Sequence, residues 1–266
     1  MSPGRLIHVE DRDDPRLAPF RLNERGLASR ADKRDDAGAG LFLAEGDLVV
    51  ERALTAGCTP FLVLADGSRL PRVVDHLLVR GTDVYVGGDD VRRFVTGLGM
   101  PHPIVALFHR PPRPSPADVA ARSERLVIVE GVDNPGNIGS IVRNAAALGW
   151  DGLLLDHTSA DPLARRSLRV AMGTAFALPH ARTSRLADEL QAMTDRTIYS
   201  LTPDPAAADI REIRPIGRRA VVIGSERGGL SDVVLAITVP VRIPMAAGVD
   251  SLNAAAATAV ACYALA

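Results

Sequence analysis

Short apolar runs separated by amphipathic stretches recur along the whole chain. In the first half, LFLAEG, PFLVLA, DVYVG and IVALFHR read as strands, while DLVVERALTAG, RVVDHLLVR and a stretch around Val91 to Thr96 carry helical spacing. A charged segment ahead of them, PRLAPFRLNERGLASRADKRDD, also reads as helical. In the second half, RLVIVE, GLLLD, TIYSLT, RAVVIGS and TVPVRIP read as short buried strands. Helices are predicted there over Ile138 to Leu148, Pro162 to Met172, Leu186 to Met193, about Ser231 to Leu235, and Ser251 to Leu265. Strands alternating with helices imply α/β layers. The strands of the second half are apolar without strict alternation, which implies a parallel sheet covered on both faces.

Between the halves, FHRPPRPSPADVAARSER is rich in proline and arginine and reads as a semi-extended connection. The predicted organisation is a smaller α/β domain over 1–110, a linker over 111–124 and a second α/β domain over 125–266.

Composition narrows the function. A formal net charge of −1 argues against a protein that grips nucleic acid through bulk charge, though not against local patches. Of 31 basic residues only Lys33 is a lysine; arginine suits phosphate contacts, but coding bias is the better account of the skew. Two cysteines, Cys58 and Cys262, make neither a disulfide framework nor a metal cluster, so no metal is expected and a reducing compartment is. The N-terminus is charged too early for a signal peptide, and the longest apolar run, 13 residues at the C-terminus, is too short to span a bilayer. The expectation is a soluble, cytoplasmic protein.

Parallel α/β sheets bind ligands at the carboxyl ends of their strands. Three loops rich in Gly, Asn and Ser follow strands here: Gly131 to Gly139, Gly224 to Ser231 and Met245 to Asn253. None is a phosphate-binding P-loop, because the lone lysine lies elsewhere, and the spacing of Gly131, Gly136 and Gly139 does not fit a dinucleotide-binding turn. In NPGNIGSIVRNAA, Asn137 can cap a helix starting near Ile138, and Arg143 follows six residues later among small apolar neighbours. A snorkelling surface arginine accounts for that spacing equally well. In VVIGSERGGLSD a glycine-rich turn offers backbone groups and the Glu226 carboxylate, and Ser231 can cap a following helix. In VRIPMAAGVDSLNAAAATAVACYAL, Ser251 and Asn253 open a helix made largely of alanine, and Ser251 can serve as its cap.

Together the three stretches are far more specific than any one alone. NPGNIGSIVRNAAALG, VIGSERGGLS and IPMAAGVDSLNAAAATA resemble, in order and spacing, the three motifs of the SpoU/TrmH family of SPOUT-class RNA 2′-O-ribose methyltransferases, over Glu130 to Ala266. GLFLAEGDLVVERALTAG is similar to part of the substrate-binding domain, related to ribosomal protein L30e, that many members carry. One position departs from the pattern: Arg227 stands where the first glycine after the glutamate is usual, and a positive φ there would strain it.

The resemblance implies a deep trefoil knot in the second domain, S-adenosyl-L-methionine as cofactor and a homodimer formed through the knotted region. It implies cofactor contacts at Gly224, Ile243, Met245 and Leu252, and a catalytic set of Asn137, Arg143, Glu226, Ser251 and Asn253. Within that set Arg143 would position the target phosphate, and a guanidinium is too weak a base to do more than electrostatic work. An L30e-like domain ahead of the knot resembles members acting on large ribosomal RNA, so ribosomal RNA is favoured as partner over transfer RNA. Two alternatives remain: an RNA-binding protein that has lost transfer, and a nucleotide-dependent oxidoreductase, which the glycine spacing opposes.

Overall fold

The computed structural model describes residues 2–27, 40–97 and 102–266. The chain forms two units, one reaching to Pro112 and including Leu163–Phe176, the other made of Arg113–Pro162 and Ala177–Ala266.

The first unit is built on a mixed sheet of β1 (Leu6–His8), β2 (Leu41–Glu45), β3 (Pro60–Asp66), β4 (Val84–Gly87) and β5 (Ile104–His109), in the order β1-β4-β3-β5-β2. β1, β4 and β3 run parallel, whereas β5 is antiparallel to both β3 and β2. Among the described residues up to Pro112, its helices are α1 (Glu24–Leu27), α2 (Asp47–Thr55), α3 (Val73–Val79) and α4 (Asp89–Thr96). The segment predicted as one helix from Pro15 begins instead as a 3-10 turn over Pro15–Arg21, capped by Asp14 and carrying Pro19, before α1 starts. Pro19, inside the segment, removes a donor that a continuous α-helix needs; residues 28–39 of that segment lie outside the described residues.

A further helix of this unit, numbered α7 in chain order (Arg165–Ala171), comes from far along the sequence and packs on β2. Its Arg165 meets the buried Glu45 carboxylate through Nε and donates through its guanidinium to the Thr96 carbonyl at 3.1 Å. The helix predicted over Pro162 to Met172 therefore exists, but it belongs to the first unit rather than to a domain running unbroken from 125 to 266.

The second unit has a seven-stranded sheet: β6 (Arg125–Val129), β7 (Gly152–Asp156), β8 (His180–Thr183), β9 (Thr197–Leu201), β10 (Ala208–Asp209), β11 (Arg219–Ile223) and β12 (Val239–Arg242). All pairs are parallel, in the order β10-β12-β9-β11-β6-β7-β8. This is the predicted parallel sheet, and its central strands are buried apolar runs. Leu126 and Ile128 of β6 pack with Ala220 and Val222 of β11 against α5 (Pro116–Arg122), α8 (Leu186–Ala192) and α9 (Asp232–Ala236). α10 (Ala254–Ala264) packs on β11 and on α6 (Pro135–Ala147). Asn144 Nδ2 donates to the Ala255 carbonyl and Trp150 Nε1 to the Cys262 carbonyl, each at 2.9 Å, which fixes α10 lengthwise along α6.

Two elements correct the sequence reading. Residues 116–122, expected within an extended linker, form α5: Ser115 and Asp118 make a reciprocal capping box, Pro116 occupies the first turn, and Val119 and Ala120 are buried in the sheet's core. β8 was not expected because HART carries a histidine and an arginine. Arg182 is nonetheless buried, its guanidinium donating to the carbonyls of Asp156 and Ser159 at 2.7 Å and of Ala160 at 3.1 Å. Among the described residues no helix is long and apolar enough to cross a membrane.

Candidate active site

The strand order reverses at the centre of the second sheet: β7 and β8 extend beyond β6, whereas β9, β12 and β10 extend beyond β11. Loops leaving the carboxyl ends of strands at such a point diverge and leave a crevice. Near it the chain places the loop from β6 to α6, the turn from β11 to α9 and the loop from β12 to α10.

Buried hydrogen bonds fix the first loop. Asp156, at the end of β7, accepts from the Gly131 N–H at 2.9 Å, from the Thr158 and Ser159 N–H groups at 3.0 Å, and from both of their hydroxyls. Burial by itself would raise this carboxyl, but the hydrogen bonds from Ser159, Thr158 and Gly131 outweigh it and hold the group below its ordinary 3.8. α6 starts earlier than predicted: Asn134 is its cap, accepting from the Gly136 N–H at 2.8 Å. Asn137 therefore lies inside the first turn, and its side chain is not occupied in capping.

The second loop is a three-residue turn, Glu226 to Gly228, closed by paired backbone hydrogen bonds between Ser225 and Gly229 at 3.0 and 3.2 Å. Ser225 Oγ accepts from the Gly228 N–H at 3.0 Å. Gly229 takes the left-handed conformation (φ 63°), and the strain expected at Arg227 does not arise, since the only described non-glycine residue with positive φ is Met172. Gly224 faces the returning chain so closely that a Cβ there would lie 2.3 Å from the Gly229 carbonyl carbon. Ser231 caps α9 as predicted, while its own N–H and hydroxyl donate to Glu130 at 2.9 and 2.8 Å.

In the third loop the cap of α10 is Asn253 rather than Ser251. Its Oδ1 accepts from the Ala255 and Ala256 N–H groups at 3.0 and 3.3 Å. Its Nδ2 donates to Glu226 Oε1 at 2.7 Å and to Asn137 Oδ1 at 3.0 Å, and Asn137 Nδ2 donates to the same Glu226 oxygen at 2.8 Å. One carboxylate oxygen and two amides thus join the three loops.

Beside this cluster is a cavity of about 490 Å³, within the size range of small-ligand sites. Of the residues expected to bind a cofactor, Gly224, Ile243, Met245 and Leu252 all line it, as do Glu226 and Ser251. Asn137 and Asn253 do not line it and instead hold Glu226 at its edge. Arg143 is also absent from the lining: it is exposed on α6, with no hydrogen bond or ion pair to any described residue. Sequence reasoning missed Thr202 and Pro203, which line the cavity from the end of β9, and Asp250 on the β12–α10 loop; Arg227, singled out as a departure from the family pattern, lines it as well. The position of TP at the end of a strand was the signal available for the first pair. Apolar walls from Leu201, Ile243 and Leu252 suit a nucleobase, and the hydroxyls and carboxylates suit a ribose and cationic groups, so the residues present fit an adenosyl sulfonium compound.

A parallel α/β sheet whose three strand-end loops are joined beside one such cavity is the architecture of a SPOUT-class methyltransferase. The chain belongs to the SpoU rRNA Methylase family, whose model matches residues 124–263. An uncharacterized tRNA/rRNA methyltransferase of Mycobacterium bovis is 39% identical over 96% of this chain and 90% of its own length. The Bacillus subtilis 23S rRNA (guanosine(2553)-2′-O)-methyltransferase RlmP is 29% identical over 87% of this chain and 90% of its own. Among solved structures, an AdoMet-bound rRNA methyltransferase from Sinorhizobium meliloti superimposes with a TM-score of 0.82 at 25% identity, covering 98% of this chain and 97% of that one. The SpoU methyltransferase AviRb from Streptomyces viridochromogenes, in complex with AdoMet, gives a TM-score of 0.77 at 27% identity, covering 95% and 97%.

Proposed function

We propose that this protein transfers the methyl group of S-adenosyl-L-methionine to a ribose 2′-oxygen of ribosomal RNA. The observation that carries the reading is the Asn137–Glu226–Asn253 cluster, which joins the three family motifs beside a cavity of cofactor size. The cofactor supplies an electrophilic methyl on sulfur; the protein must hold the 2′-hydroxyl in line with it and ease loss of the proton. Gly224, Ile243, Met245 and Leu252 hold the cofactor, largely through backbone groups and apolar contact. Glu226 and Ser251 border the cavity and meet both the cofactor and the nucleotide, with Asn137 and Asn253 keeping the carboxylate in place. Arg143, exposed and unpaired among the described residues, holds the phosphate beside the target ribose.

In this reading the first unit is an L30e-like domain that selects the RNA, and the seating of α10 against α6 is part of a knotted fold. Two copies pair through that region, where Val260 and Tyr263 of α10 are 40% and 76% exposed. Work on ribosomal RNA places the enzyme in the cytoplasm. Purified protein incubated with methyl-labelled cofactor and separated ribosomal and transfer RNA from cells lacking it tests the assignment. Alkali-resistant label in ribosomal RNA, absent with Arg143→Ala, is expected. Label in transfer RNA alone would move the substrate class, and no label together with no cofactor binding would leave an RNA-binding protein without transfer activity.

A further inference from the structure

Three charged side chains line the cavity: Glu226, Arg227 and Asp250. Glu226 is held by Asn137 and Asn253 through Oε1. Arg227 and Asp250 are exposed and form no hydrogen bond or ion pair with any described residue. The backbone of Arg227 is nonetheless fixed, because it is the middle residue of the turn closed by Ser225 and Gly229. Its φ is not positive, so the arginine is held there without strain. The cavity therefore has a single guanidinium among its lining residues, on a rigid turn, accompanied by two carboxylates.

This charge pattern has a counterpart in the cofactor. S-adenosylmethionine carries two cationic centres, the sulfonium and the α-ammonium, and a single anion, the α-carboxylate. The lining offers two carboxylates and a single guanidinium, so every charge on the ligand has an opposite on the wall. A guanidinium fork matches a carboxylate in a bidentate manner. A phosphate of the RNA is the other anion that could approach, but Glu226 and Asp250 beside Arg227 would repel a phosphodiester while attracting the sulfonium and ammonium groups.

We propose that Arg227 binds the α-carboxylate of S-adenosylmethionine and anchors the amino-acid end of the cofactor, while the apolar walls hold its adenosine end. The assignment rests on reading this cavity as the cofactor site. It gives the departure from the usual glycine at this position a binding role.

Calorimetry on the protein tests it with three ligands: S-adenosylmethionine, its decarboxylated analogue, which keeps both cationic centres, and 5′-methylthioadenosine, which lacks the amino-acid end. For Arg227→Ala and Arg227→Gly, S-adenosylmethionine should bind about tenfold more weakly. The decarboxylated analogue and methylthioadenosine should keep their wild-type affinities, and Arg227→Lys should recover part of the loss. Equal weakening of S-adenosylmethionine and its decarboxylated analogue would overturn the proposal, because the arginine would then be shaping the turn. Unchanged cofactor affinity with a raised KM for RNA would overturn it in favour of a phosphate contact. Wild-type protein that bound none of the three ligands would remove the cofactor site itself, an outcome distinct from failure of the arginine alone. Unfolding temperatures of the variants, expected to match wild type, separate lost contact from lost fold.

Discussion

Asn253 has two tasks that substitution can separate. Its Oδ1 caps α10 and its Nδ2 ties Glu226 to Asn137. Asn253→Ala removes both. Loss of the cap costs about 1 kcal/mol, and the two side-chain hydrogen bonds, made at a solvent-exposed site, add about 1 kcal/mol more. At roughly 2–4 °C per kcal/mol for a chain of this size, the unfolding midpoint should fall by about 4–8 °C. Asn253→Asp keeps an acceptor that caps a helix well and suits its positive end. It also sets a second carboxylate where Nδ2 now lies 2.7 Å from Glu226 Oε1. Two such charges about 4 Å apart repel by ~1–4 kcal/mol between bulk water and a partly shielded surface. The aspartate variant should thus melt closer to wild type than the alanine variant does, yet lose cofactor affinity and methyl transfer because Glu226 is pushed aside. Scanning fluorimetry paired with calorimetry on both variants decides the matter. Wild-type cofactor affinity in Asn253→Asp would refute the claim that the amide pair positions Glu226.

Gly224→Ala forces a Cβ to within 2.3 Å of the Gly229 carbonyl carbon and 2.6 Å of the Leu230 nitrogen. The turn must open, and cofactor affinity should fall by at least about tenfold in a titration. Asp156 contributes stability that is complete above its unfolded value of 3.8 and is lost as pH falls through its lower folded value. Asp156→Asn should therefore melt below wild type at neutral pH, by about 1–3 kcal/mol, and the gap between their unfolding temperatures should close as the pH falls below about 4. A gap that stayed constant from pH 7 to pH 3 would contradict this. Arg143→Ala should leave cofactor affinity unchanged while methyl transfer drops by roughly 10²–10³-fold; matched losses in both would make the arginine structural.

The second sheet was legible because β6, β7, β9 and β11 are short apolar runs, and glycine or proline follows β6, β9 and β11 within two residues. Three edge strands, β1, β8 and β10, were not. β1 is three residues, mostly exposed, β10 is two, and β8 hides an arginine whose charge is met by carbonyls distant in sequence. The three site loops could be named in advance, since each must carry groups that face a ligand. What local sequence could not specify was the division of labour inside them. Asn134 and Asn253 cap the helices, freeing Asn137 and Ser251, because whether an amide caps or reaches across depends on the neighbouring loop. The α5 helix was obscured by the prolines around it, although Ser115 and Asp118 carried its capping signal.

Helix α7 bears on how such proteins can be taken apart. It lies within residues 124–263 by sequence, inside the stretch that defines the methyltransferase family, yet it completes the first unit by meeting the buried Glu45 with Arg165. A fragment ending at Pro112 would leave that carboxylate without its guanidinium and β2 without the helix that packs on it. The two halves are therefore not interchangeable cassettes. A graft of a different first unit onto the second would have to bring its own version of residues 163–176. Where lineages have exchanged such domains, that short insert should track the partner it serves rather than the chain in which it is encoded.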